Sequence, residues 1–219
     1  MSKKLLLSIL TITLALSACG GSPGQTDEYD KIAEKVYTIG KALGQSEGSF
    51  RKVALSEDDV SFSEEAVDYS GSLGYFQDYE AAVQKFTGKA DFNANIVLAR
   101  VLLENDGQAM HLKNAFSLLY ESSLNAVPTK YKWYFKYGYQ TSFLDEILKR
   151  FETDEGFRTP ATLFTVSGFS DLLTDSSDEL NGKEKGALEE IAAYEGITNL
   201  TTADLAKMQA ALDVLIKAF

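Results

Sequence analysis

From Asp27 to Phe219, apolar side chains recur three and four positions apart, the repeat of α-helices that each bury one face. The clearest run is Leu205, Met208, Leu212, Leu215 and Phe219, with Thr201 and Asp204 at its start, where a carboxylate suits the free N–H groups of a first turn. Ile32, Val36, Ile39 and Leu43 predict a first helix over 28–43, with Gly44 in the place of a C-terminal cap. Phe76, Tyr79, Val83 and Phe86 predict another over 75–86, after a break at Gly71 and Gly74, and Ser61 with Glu64 fits a capping box ahead of it. Residues 93–104 and 108–124 read as a helical hairpin turning at Asn105-Asp106-Gly107 and closed by Pro128. Ser142 is placed to cap a helix carrying Phe143, Ile147 and Phe151. Thr159-Pro160 opens one carrying Leu163, Val166, Phe169 and Leu172, and Leu188, Ile191 and Tyr194 carry the pattern to Gly196. Only Gln45–Phe62 departs, reading either as a loop or as one small β-hairpin with Val53 and Leu55 opposite Val60 and Phe62. The expectation is a predominantly α, irregular multi-helix domain with helical hairpins and without a solenoid repeat.

Such a domain must be held by its core, because Cys19 is the only cysteine and no disulfide can form within the chain. Apolar residues make up 45% of the chain, enough for a core of ordinary size. Ahead of Cys19, Lys3 and Lys4 precede a mostly apolar run from Leu5 to Leu16, too short to span a bilayer. It ends in Leu16-Ser17-Ala18-Cys19. This stretch resembles the signal peptide and lipobox of bacterial lipoproteins, an aliphatic residue and two small residues before an invariant cysteine. The resemblance covers about the first twenty residues. It implies cleavage before Cys19, a diacylglycerol on its sulfur, and in many bacteria a further acyl chain of the palmitate class on the new amine. Two or three such chains hold a protein on a membrane stably. Gly20 stands where an enteric inner-membrane retention signal would place Asp, so the outer membrane is expected for a Gram-negative host. The domain organisation that follows is a signal peptide over 1–18, Cys19 with a Gly-, Ser- and Pro-rich tether to residue 28, and a helical domain over 29–219.

Removing Lys3 and Lys4 leaves 19 basic residues of 21 against 32 acidic ones, a net charge of −13. That balance argues against nucleic acid and against docking on anionic lipid, leaving the membrane contact to Cys19. Tyr131–Tyr139 is the exception, with six aromatics in nine positions and Lys130, Lys132 and Lys136 among them. Its rings suit the C–H face of a sugar or a partner surface, a headgroup region, or the core with hydroxyls at its rim. Alternate residues would line a strand face, whereas Tyr131, Tyr134 and Tyr137 keep helical spacing. Tyr131, Trp133, Tyr134 and Tyr137 are the candidate binding residues.

Catalytic sets are thin. His111 is the only histidine and the lone cysteine is committed, so the common zinc and nucleophile–histidine sites lack members. No metal or cofactor is expected. Glu121, followed by Ser122, faintly resembles the Glu-Ser pair of lytic transglycosylases but lacks that family's downstream stretch. The acids Asp171, Asp175, Asp178 and Glu179 fail the calcium-loop pattern, since Ser177 and Leu188 stand where Asp and Glu belong. The expected function is a non-enzymatic, lipid-anchored binding or accessory module for an envelope protein or glycan. The alternative is a carboxylate-dependent glycan hydrolase with Glu121 as its acid.

Overall fold

The computed structural model describes residues 23–54, 69–87, 93–105, 109–153, 166–175, 180–197 and 200–219. They form a predominantly α fold of eight helices: α1 (Pro23–Ala54), α2 (Ser70–Thr87), α3 (Asn93–Glu104), α4 (Ala109–Ala126), α5 (Lys132–Thr153), α6 (Phe169–Asp175), α7 (Gly182–Ala192) and α8 (Thr202–Ile216). A 3₁₀ turn, Thr129–Tyr131, leads into α5, and no strand occurs among the described residues. The chain divides into two units. In Met1–Glu34 the described residues are the opening turns of α1, and Lys35–Phe219 holds the rest.

Four helix boundaries differ from expectation. α1 begins at Pro23, a residue whose fixed φ and missing N–H suit a first helical position, so part of the expected tether is helical. It also runs through Gly44 to Ala54, which places Val53 of the expected hairpin in a helix. The other arm, Val60 and Phe62, lies outside the described residues, as do the Ser61–Glu64 box and Thr159-Pro160. Gly44 is not a cap because Gly40, Gly44 and Gly48 form a stripe along which α5 lies against α1. A β-carbon on Gly40 would strike the Phe135 carbonyl, and one on Gly44 the Tyr139 carbonyl; on Gly48 it would stand 2.8 Å from both Phe143 O and Glu146 Cβ. Gly138 answers from α5, where a β-carbon would meet the Tyr37 carbonyl and come within 3.0 Å of Lys41 N. The contacts advance in the same direction on both helices, so α1 and α5 run parallel with their backbones in contact. Likewise α5 starts at Lys132 and α2 at Ser70, so Ser142, Gly71 and Gly74 are helix interior.

Around this pair the other elements close the core. α2 meets α1 through reciprocal bonds, Ser46 Oγ donating to Ser72 O at 2.9 Å and Ser72 Oγ to Ser46 O at 2.8 Å. Phe50 stacks on Phe116 of α4 at 5.6 Å, and Phe76 meets Phe116 edge-on at 6.3 Å. The α3–α4 hairpin forms as expected, and the Tyr79 and Ser123 hydroxyls share a hydrogen bond of 2.8 Å between α2 and α4. At the other side α6, α7 and α8 pack in sequence, and α8 packs on α5. α7 is opened by Asn181 with Glu184, and α8 by Thr201 with Asp204, each a complete capping box. The turn at Gly196 (φ 75°) leaves Glu195 to accept from Phe169 N (2.6 Å) and Ser170 N (3.1 Å), which caps α6. No helix among the described residues is long and apolar enough to cross a membrane.

Candidate functional site

The glycine seam of α1 and α5 separates two unlike clusters, one at each end. The first holds the aromatic segment. It is helical, which settles the choice between strand and helix periodicity, and Tyr131, Trp133, Tyr134, Phe135 and Tyr137 are all buried. Trp133, at 7% exposure, donates Nε1–H to Leu172 O at 3.1 Å, and the Tyr137 hydroxyl donates to Leu215 O at 2.9 Å. Burial raises Tyr37 and Tyr137 above the ordinary tyrosine pKa of 10.0. Lys136 is tied to Asp175 at 2.9 Å, and Lys130 lies over the Tyr131 ring at 4.7 Å. The four candidate binding residues are thus core residues of this structure, and none presents an open, solvent-facing platform. Most of the rings share one cover. Phe219 stacks on Tyr37 at 4.8 Å and 15°, and its centroid lies 5.0 Å from Tyr137, 5.8 Å from Tyr134 and 6.3 Å from Trp133.

The second cluster is polar, and the apolar spacing gave no sign of it. Ser46, Glu47 and Ser49 of α1, Ser72 of α2, and Ser142 and Glu146 of α5 are all buried. Tyr139 donates to Glu47 Oε2 at 2.5 Å, a charge-assisted bond. Glu146 Oε1 accepts from Lys149 Nζ at 2.9 Å and from the Tyr75 hydroxyl at 3.4 Å, and Lys149 also reaches Asp145 Oδ2 at 2.7 Å. Burial alone would lower the Lys149 pKa, but the two carboxylates outweigh it and raise the ammonium above its usual value. Tyr75 is raised too, by burial first and then by Glu146. Glu47 and Glu146 have the residue type and setting for acid–base work, each contacted by a tyrosine hydroxyl. A signal for Glu47 lies in the polar run Gln45–Ser49 inside α1, at positions where an isolated helix would be expected to face water.

The remaining candidates are dispersed. Glu121 and His111 are exposed on α4. Asp171 is exposed on α6 and Asp175 is held by Lys136, while Asp178 and Glu179 lie outside the described residues. No three His, Cys, Asp or Glu side chains converge as a metal site among the described residues. Cys19 also lies outside them. On the surface, Val97, Leu98 and Val101 of α3 and Leu118 of α4 are exposed, a larger apolar display than isolated surface residues make. Asn95 Nδ2 donates to Ser122 Oγ at 3.4 Å, which sets the hairpin register and puts Leu98 and Leu118 near one level. No family model matches the chain, and no curated protein and no solved structure matches it.

Proposed function

We propose that this chain is a lipid-anchored protein of the bacterial cell envelope, held by Cys19, whose helical domain is a non-enzymatic binding or accessory module for an envelope protein or glycan. The observation that carries the proposal is Leu16-Ser17-Ala18-Cys19 behind Lys3, Lys4 and a short apolar run. The exposed apolar residues of the α3–α4 hairpin support a binding role, since such a display costs solubility unless something covers it. Expression in a bacterium fed labelled palmitate tests the anchor. Label and membrane sedimentation should both be lost in Cys19→Ser, and an unlabelled, freely soluble parent protein would overturn the proposal.

A second reading, a carboxylate-dependent hydrolase, is favoured by one observation, the burial of Glu47 and Glu146 against tyrosine hydroxyls. Its acid would then be one of these and not the exposed Glu121. Clearing of a peptidoglycan gel by the parent domain, abolished in Glu146→Gln or Glu47→Gln with the fold intact, would replace the binding reading.

A further inference from the structure

A half-exposed phenylalanine that touches four otherwise buried aromatic rings is an unusual closure for a core. Phe219 is 51% exposed, yet its ring lies on Tyr37, Trp133, Tyr134 and Tyr137. It stands beyond the end of α8 at Ile216, so the helix hydrogen-bond ladder does not hold it. Two of the four rings beneath have anchors of their own. Trp133 is pinned through Nε1 to Leu172 O, Tyr137 through its hydroxyl to Leu215 O, and the backbone under Tyr37 and Gly138 is set by the glycine seam. A seat part of whose floor is held independently of its occupant can exchange that occupant.

We infer that Tyr37, Trp133, Tyr134 and Tyr137 form a binding seat for an aromatic side chain, that Phe219 fills it as an internal plug, and that a partner protein of the envelope binds by putting a ring of its own in Phe219's place. This rests on the binding-module reading and names its site and class of partner. The chemistry of the seat selects a ring over a sugar. A pyranose brings hydroxyls that need partners at its edge, and here the Trp133 N–H and the Tyr137 hydroxyl are spent on backbone carbonyls while Lys136 is spent on Asp175. Phe219 meets the seat through its ring faces and edges, by stacking on Tyr37 and edge contact with Tyr134, which is how an aromatic side chain is held.

Trp133 is the only tryptophan and reports the seat directly. The experiment compares the parent with Phe219→Ala, using the acetylated tetrapeptide of Ile216–Phe219 as probe and the same peptide ending in alanine as control. In the parent, Trp133 emission should be blue-shifted, poorly quenched by acrylamide and indifferent to the probe, because the tethered ring competes at high effective concentration. In Phe219→Ala it should be red-shifted and quenchable, and the probe should reverse both changes saturably while the control does not. Phe219→Leu, which keeps the apolar volume without the ring, serves if the alanine variant does not fold, and there the criterion is only a saturable Trp133 response to the probe that the control lacks. A Trp133 that stays shielded in the variant overturns the inference, as does a probe without saturable effect or a control that acts equally. Saturation by soluble peptidoglycan fragments instead of the peptide overturns it in favour of a glycan site. The binding-module reading survives such a failure if a photocrosslinker at Val101 of the anchored protein captures an envelope protein, so the two fail separately.

Discussion

The two ends of the α1–α5 seam are built on the same pair of parallel helices and filled in opposite ways. Near Gly138 the space is taken by rings, whose few polar atoms are discharged onto backbone carbonyls at Leu172 and Leu215. Near Gly48 it is taken by serines, of which Ser46 and Ser72 pair across two helices, and by carboxylates bonded to Tyr75, Tyr139 and Lys149. The aromatic end is held by buried area, a quantity that erodes gradually as atoms are removed. The polar end is held by completeness, since a hydrogen-bonded interior network loses most when one member is left without its partner. The same helix pair therefore supports one end whose loss should scale with the atoms removed and one whose loss should not.

The glycines between them serve both ends, so breaking the seam should cost most. Gly44→Val puts branched carbons against the Tyr139 carbonyl and forces the helices apart, with an expected loss of about 4 kcal/mol or more in urea unfolding. A loss under about 1 kcal/mol would show that the helices are not in backbone contact. Next is Trp133→Ala, expected to cost about 3–4 kcal/mol from the cavity and from a Leu172 carbonyl left without its donor. Trp133→Phe should recover most of the area but not the bond. At the polar end, Glu146→Ala should cost about 2 kcal/mol although it removes fewer atoms, because it strips the Tyr75 hydroxyl of its acceptor and takes one carboxylate from Lys149. That figure allows for Lys149 being half-exposed, where screening weakens its ion pairs. If Glu146→Leu is as stable as the parent, the polar end is not an interdependent network.

The tyrosines extend the comparison to pH. Tyr37 and Tyr137 at the aromatic end are raised by burial, Tyr75 at the polar end by burial and then Glu146, and Tyr79 is pushed up to about 12 mainly by burial. A group whose folded pKa exceeds its unfolded value contributes stability that is complete below the unfolded value and lost as pH rises through the folded one. Stability should therefore hold up to about pH 10 and fall between 10 and 12. Tyrosinate absorbance should appear for the exposed hydroxyls first and for the buried set together with loss of helix by circular dichroism. Ionisation of all eleven tyrosines near pH 10 with helicity intact would break the account of the aromatic end as buried.

How much of this was legible in the sequence follows the same division. α8 and the α3–α4 hairpin could be read directly, because their apolar stripes are local and Thr201 with Asp204 marks a start wherever it occurs. The length of α1 could not, since glycine after an apolar stripe reads as a cap unless the second helix against which it lies is known. The Gly40, Gly44, Gly48 spacing held the signal, but its meaning depends on Gly138, far along the chain. Tyr131, Trp133, Tyr134 and Tyr137 stand out for their residue type, yet what surrounds them comes from far along the chain, as in the bond from Tyr137 to Leu215, 78 positions away. Glu47 and Glu146 are not legible because carboxylates are expected on helix surfaces, and the hydroxyls that meet them inside come from other helices, Tyr139 for Glu47 and Tyr75 for Glu146.

The smallest effect supplies the control that the seam argument needs. Gly186 sits inside α7 and Gly74 inside α2, and a β-carbon at either would meet nothing within 4 Å. Both are exposed helix-interior glycines whose only consequence is a more flexible unfolded chain and a weaker helix. Gly186→Ala and Gly74→Ala should each raise stability by about 0.5–1 kcal/mol, and the pair should add, since an added carbon at either position meets no neighbour within 4 Å. Alanine at Gly44 changes the same atom in the same kind of helix and should move stability the other way. An equal gain at all three positions would mean that helix propensity alone governs these glycines, and the parallel contact that sets both ends of the seam would lose its support.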